Sequence, residues 1–429
     1  MPKSFLLKNI SYLDSNTMKL SKGDVRVIDG YIVSIDKCLN PCENEKIISS
    51  EDTIMLPGLV NAHLHPSKEI YGSTLDSSPI DVVLDSVHKN NELESSDGQY
   101  ISSLKSLMSA LKNGVTTFGV FTSRIESDVL AVRQIRCRCV INFCQNNTWI
   151  GSGKSPKNKP VEVIIQEYLE AENKYQQELI TLSPATASEL SADDTLLIRL
   201  HELAHIQNKK FTLHIHEGLH QVKSHKNEYH ISGIERLDSL NILDKNTTLI
   251  HSCYLSDKDL ELLKISGCNI IHCPVSNSFV GAGTLPLSSL LPDVTVGIGT
   301  DAAMVNPAND LIFDAFFSLY HHGDSDFSRK VDASTILSIL TEGGAKSLGI
   351  SNVGRIEVGF KADFIFFNIN EIDTGYINTP ISLLNMLKNE KPSQVIVNGE
   401  TIINHGIFTN KFLNNNDLKF SKLRRMIIT

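Results

Sequence analysis

Apolar and polar positions alternate along this chain in two different rhythms. From residue 98 onward, segments with apolar residues every three or four positions are each followed by a short apolar run: GQYISSLKSLMSALKNG by VTTFGVF, SDVLAVRQIRC by RCVINFCQ, VEVIIQEYLEAENKYQQ by ELITLSP, and DDTLLIRLHELAHIQNKK by FTLHIH. The first kind predicts amphipathic helices and the second predicts buried strands. TTLIHSC, the helix-like DKDLELLKISG, CNIIHCP and VTVGIGTD continue the series, and IMLPGLVNAHLH precedes it. Together they make eight strand candidates, each followed by helical or loop residues. Eight alternating units in about 250 residues predict a (β/α)8 TIM barrel, whose active site lies at the C-terminal ends of its strands. The barrel is placed at residues 56–351.

The flanks keep a period of two. Residues 1–55 (FLLKNISYL, DVRVIDGYIVSID) and 352–410 (GRIEVGFKADFIFFNI, SQVIVNGETIINHG) read as short alternating strands with Gly, Asp and Asn turns. Neither piece buries an adequate core alone, so the two chain ends are expected to join in one small β-sandwich beside the barrel. The basic tail at 411–429 reads either as a subunit contact or as a frayed terminus.

Composition adds exclusions. Of 429 residues, 21% are charged and 41% apolar, and a formal charge of −9 gives no electrostatic case for nucleic acid or an anionic membrane. A small-molecule substrate fits better. The N-terminus carries only a three-residue apolar patch and no apolar span is long enough to cross a bilayer, so a cytoplasmic protein is expected. The eight cysteines show no paired CxxC spacing and read as buried free thiols.

The chemistry collects at the predicted strand ends. His63 and His65 end the first strand, and a strand projects alternate side chains to one face. HIHEG ends the fifth with His214, His216 and Glu217, followed by His251 on the sixth, His272 on the seventh and Asp301 on the eighth. Histidines and a carboxylate converging on one barrel mouth suit zinc or another borderline divalent ion. Of the rest, His201, His205, His321 and His322 read as solvent-facing or capping, and His220, His225 and His230 as loop residues.

PGLVNAHLH, LHIHE, LIHSC, IHCPVSN and GIGTD, in that order, resemble the amidohydrolase superfamily, and within it the metal-dependent aminohydrolase branch of guanine deaminase, adenosylhomocysteine deaminase and the triazine hydrolases. The resemblance spans nearly the whole chain. It implies that His63, His65, His214 and Asp301 bind one metal ion, most simply Zn2+, with Fe2+ as the alternative. His214 is preferred to His216 because the branch pattern is HxxE, although His216 alternates onto the same strand face. ELITLSP offers no lysine for a second ion. The implied roles give Asp301 the proton of the attacking water, Glu217 general acid/base work, and His251 either stabilisation of the tetrahedral intermediate or orientation of the hydroxide. The implied activity is hydrolytic deamination of an amino-substituted heterocycle of purine, pyrimidine, pterin or triazine type. Ring opening of a cyclic amide or imine is the alternative, and a silent scaffold a third reading. A homodimer is a further expectation.

Two departures bear on the substrate. Where branch members carry a PHSP-like histidine, this chain has TLSPATAS with Leu182 in that place. After the first strand, HPSKEIYG brings Lys68, which either meets an anionic group in the pocket or forms a salt bridge. Specificity is assigned to the loops at 66–97, 145–160, 183–190 and 302–310.

Overall fold

In the computed structural model, which describes residues 3–150, 159–322, 331–368, 378–415 and 417–428, the apolar runs pair edge to edge in chain order. Leu59–Leu64, Val115–Thr122, Arg138–Cys144, Ile180–Ser188, Phe211–Ile215, Thr247–His251, Asn269–His272 and Thr295–Ile298 form one eight-stranded parallel sheet. Their side chains are almost continuously buried, as expected for strands covered on both faces. Helices follow the predicted rhythm at Ser96–Lys112, Ile125–Ile135, Val161–Tyr175, Asp194–Ile206 and Asp257–Ser266. Ser95, Asp193 and Ser256 cap three of these through side-chain oxygens, satisfying N–H groups that the helices leave open.

The seam between first and eighth strands closes the barrel and creates the site. Asp301 N–H donates to the His63 carbonyl at 3.0 Å and His65 N–H to the Asp301 carbonyl at 3.3 Å. One turn below, Asn61 Nδ2 donates to Thr300 Oγ1 at 2.8 Å, and Thr300 N–H returns a bond to Asn61 Oδ1 at 3.1 Å. The approach is so close that a Cβ on Gly299 would lie 2.6 Å from the His63 Cβ. The glycine before TD is therefore required by proximity.

The chain ends build a nine-stranded sheet around Thr53–Pro57, which runs parallel to Phe5–Asp14 and antiparallel to Phe364–Asn368. Phe5, Leu7, Val25, Val27, Met55, Phe364 and Phe366 make a core of its own, while Ile54, Leu56, Ile365 and Phe367 join the main core with the barrel. Alternation along each strand thus fills two cores. Part of the 352–410 segment lies outside the described residues.

A buried ion pair ties sheet to barrel: Arg138 reaches Asp363 with Nε at 2.7 Å and Nη2 at 3.0 Å. Removing one partner strands the other charge, so Arg138→Ala is expected to cost about 3–5 kcal/mol of stability, read as a lower urea midpoint.

Three expectations need correction. The tail is not frayed but forms a helix, Asp417–Ile428, docked on its own chain. Phe420 and Leu423 share an apolar cluster with Ile70, Tyr71, Ile80 and Val83, and Arg424 donates to the Gly72 carbonyl. Of the thiols, Cys38 and Cys42 are exposed while the other six are buried. The segment around His220 and His225 is a helix, Leu219–Tyr229, with His230 as its left-handed cap. Histidines five apart share no helix face, but His225 and Gln221, four apart, do and are buried. Among the described residues no helix is long and apolar enough to cross a membrane.

Candidate active site

His63 and His65 leave the first strand side by side, with ring centroids 4.7 Å apart. Across the barrel, His214 Nε2 comes to 3.2 Å from His63 Nε2. Asp301 Oδ1 lies 3.5 Å from His63 Nε2 and 3.4 Å from His65 Nε2. One potential ligand atom from each of His63, His65 and His214 falls within 4.8 Å of the others, and the same holds for His63, His251 and Asp301.

The second nitrogens decide which atoms face the centre. His65 Nδ1 donates to the Phe121 carbonyl at 3.0 Å and His214 Nδ1 to the Ala187 carbonyl at 2.6 Å. A carbonyl accepts only, so each proton sits on Nδ1 and each Nε2 lone pair points inward, the arrangement of metal-binding imidazoles. Burial, with neighbouring imidazoles, lowers His65 to about 3 and His214 well below its usual value. Burial likewise lowers His63 despite its contact with Asp301. Burial works to raise the Asp301 pKa, but its contact with His63 and the fields of His63, His251 and His65 outweigh it, holding the carboxylate well below its usual range. Neutral imidazoles around an ionised carboxylate are the ligand forms that a divalent ion needs, so these residues fit one.

Ser276 Oγ donates to Asp301 Oδ2 at 2.6 Å, leaving Oδ1 toward the histidines. Partners of this kind orient ligands, so Ser276→Ala is expected to weaken metal binding about 10- to 100-fold, measured by titrating metal-free protein with Zn2+.

Glu217 stands at the edge of this cluster, with Oε1 3.5 Å from His251 Nε2. Burial pushes its pKa up to about 7; His251 opposes the shift and Asp301 adds to it. His251 Nδ1 donates to Asn277 Oδ1 at 2.8 Å. That tautomer leaves Nε2 as an acceptor, so His251 becomes a donor at this position only when it holds a second proton.

His65, His214, Glu217 and Asp301 form the polar floor of a cavity of about 290 Å³. Its walls include Ile80, Val83, Leu84, Phe121, Trp149 and Met304. All four loops singled out in the sequence contribute, through residues such as Lys68, Asn146, Ser188 and Val305, although residues 151–158 lie outside the described set. Lys68 forms the salt bridge of its second reading, donating to Glu94 Oε1 at 2.7 Å, and it also lines the cavity. Arg124 and Gln99 bond the other oxygen of Glu94, at 2.8 and 2.9 Å. Leu182 is buried in the main core, so its strand meets the cavity through Ala187 and Ser188 instead.

Other histidines are placed elsewhere. His216 turns away from the cluster, and its Nε2 accepts the Gly233 N–H at 3.1 Å. His272 Nε2 pairs with His322 Nε2 at 3.0 Å. His201 is buried against Asp244 at 2.9 Å, where the sequence suggested a solvent-facing or capping residue. The side chain of His88 lies outside the described residues. Sequence reasoning missed Ser276, Asn277, Glu94 and Glu189, which the fold joins to the site from three separate segments. Ser276 and Asn277 stood in the quoted IHCPVSN, the one signal that pointed near the site.

Comparison with known proteins fits this geometry. The sequence profile of the Amidohydrolase family matches residues 54–402. The chain belongs to the amidohydrolase family. It is 27% identical to a 5-methylthioadenosine/S-adenosylhomocysteine deaminase of Carboxydothermus hydrogenoformans, over 98% of this chain and 97% of that protein. It is 26% identical to a 5'-deoxyadenosine deaminase of Methanosphaera stadtmanae, over 88% of each. Among solved structures, an adenosine deaminase of Xanthomonas campestris with bound zinc superposes with a TM-score of 0.84 at 21% identity, covering 99% of this chain and 98% of that one. Atrazine chlorohydrolase of Arthrobacter aurescens, complexed with zinc, does so with a TM-score of 0.87 at 18% identity, covering 98% and 100%. At such identities the two structures speak for the fold.

Proposed function

We propose that this amidohydrolase removes an exocyclic amino group from an aromatic heterocycle by hydrolysis, with 6-aminopurine nucleosides as the first substrate class to examine. The observation that carries the reading is the place of Glu217, a buried carboxyl that lines the cavity beside the His–Asp cluster with Oε1 3.5 Å from His251 Nε2. The named activities of relatives that match nearly end to end support the choice of nucleoside.

His63, His65, His214 and Asp301 would hold one divalent ion, zinc being the first candidate. Such an ion supplies Lewis-acid chemistry that brings the pKa of water from 15.7 down to roughly 7. Asp301, ionised and oriented by Ser276, accepts the proton of the attacking water. Glu217, whose pKa burial raises to about 7, gives its proton to the ring nitrogen as the oxygen adds to the amino-bearing carbon. His251, held by Asn277, stands within reach of the Glu217 proton and can receive it or return it. The proton held by Asp301 passes to the amino group so that ammonia leaves, and the hydroxyl proton returns to Glu217 as the carbonyl forms, so C–NH2 becomes C=O with both carboxyl groups restored.

The test is ammonia release from a panel of 6-aminopurine nucleosides, aminopyrimidines and aminotriazines by zinc-loaded protein. Release from at least one, lost with a chelator and restored by Zn2+, is expected. Metal-loaded protein that consumes a cyclic amide while releasing no ammonia from any amine would replace this reading with ring opening.

A further inference from the structure

Glu189 is a buried carboxyl that the reaction above does not use. It follows the fourth barrel strand and its side chain points under the fifth, where Oε1 accepts the backbone N–H of His216 at 3.1 Å. His216 separates His214 from Glu217 and has a φ of +51°. This is left-handed backbone, unfavourable for a residue with a Cβ, and it persists only where its surroundings hold it.

Three elements supply that hold. Glu189 takes the His216 N–H, the Cys253 N–H donates to the His216 carbonyl at 3.1 Å, and the Gly233 N–H donates to His216 Nε2 at 3.1 Å. Glu189 is itself fixed, because Arg236 Nη1 donates to its carbonyl at 2.8 Å and Nη2 to the Ala192 carbonyl at 3.1 Å. The consequence is a change of course at the end of the strand. Regular alternation would put His216 beside His214; the left-handed turn instead sends the His216 ring toward Gly233 and brings Glu217 onto the cavity floor.

We infer that Glu189 and His216 are positioning residues for Glu217: the Glu189 side chain acts as the acceptor that locks the turn at 216, and so fixes the reach of the acid without touching the substrate. The inference rests on the reading of Glu217 as the proton donor. It separates two functions on one strand, because His214 is oriented independently by the Ala187 carbonyl. Loosening the turn should therefore misplace the acid and spare the ion.

The test compares Glu189→Leu, which removes the acceptor, with Glu189→Gln, which keeps one, in zinc-loaded full-length protein, with Glu217→Gln run in parallel. Glu189→Leu is expected to lower kcat about 10- to 100-fold, since a displacement of the order of 1 Å can cost as much, with KM within about 3-fold. Bound metal per chain is expected to stay at the parent value, and Glu189→Gln to restore kcat to within about 3-fold of the parent. Metal loss from Glu189→Leu, equal impairment in Glu189→Gln, or unchanged kcat in Glu189→Leu each overturns the inference. If Glu189→Leu does not give folded protein, His216 decides. His216→Asn, which tolerates left-handed backbone, should keep more turnover than His216→Val, which does not, at equal metal content, and the reverse order overturns the inference. Full turnover in Glu217→Gln removes the acid assignment and this inference with it. An inactive Glu217→Gln beside a fully active Glu189→Leu removes the inference alone.

Discussion

Glu217→Gln is expected to keep its metal and to lose turnover by about 10²- to 10⁴-fold, the usual share of a positioned acid or base. The amide is close in size to the acid and fits the same buried place, but has no proton to give. Because Glu217 faces His251 Nε2 at 3.5 Å and stands beside the His63, His65, His214 and Asp301 cluster, its loss should leave the proposed ligands in place. Metal analysis and kcat on the same preparation check both halves. The parent also has a characteristic pH dependence. The acid works in its protonated form and its pKa is raised to about 7 by burial, so kcat falls as pH rises through about 7. In Glu217→Gln the residual rate loses that limb.

Asp301→Asn is expected to lower metal affinity by at least about 100-fold, beyond the usual effect of an outer partner, and activity with it. Asp301 is the carboxylate of the cluster, with Oδ1 within 3.5 Å of His63 and His65. An amide in its place removes the negative charge that offsets a dication among neutral imidazoles. It also removes the acceptor for the water proton. Equilibrium zinc titration of the metal-free variant separates the two losses, and excess zinc should restore occupancy without restoring turnover. The seam should survive, because the Asp301 backbone makes those bonds to His63 and His65.

Much of this was legible in the sequence because the fold repeats a simple unit. Apolar runs separated by amphipathic segments imply parallel strands, and a parallel barrel gathers strand ends at one mouth. His63, His65, His214, His251 and Asp301 therefore lay close in space before any contact was known. The choice between His214 and His216 was not legible from alternation, since it depends on where the fifth strand stops. That strand ends at Ile215, and the left-handed turn at His216 breaks the period of two. Glu189 and Glu94 were illegible for a different reason. A lone carboxylate in a polar loop looks like a solvated one until the fold supplies His216 N–H for the first, and Lys68 and Arg124 for the second. Lys68 shows the limit of either-or reasoning, since it lines the cavity while its ammonium is paired with Glu94.

The central claim is that water replaces an amino group on the ring. The direct measurement is mass spectrometry of the product formed by zinc-loaded protein from a 6-aminopurine nucleoside in 18O-labelled water, with Glu217→Gln as control. A product that has exchanged NH for one labelled oxygen, with ammonia released and no product from the control, is the result this account predicts. A product that keeps its nitrogen and gains a whole water, or one formed equally by the control, would contradict it.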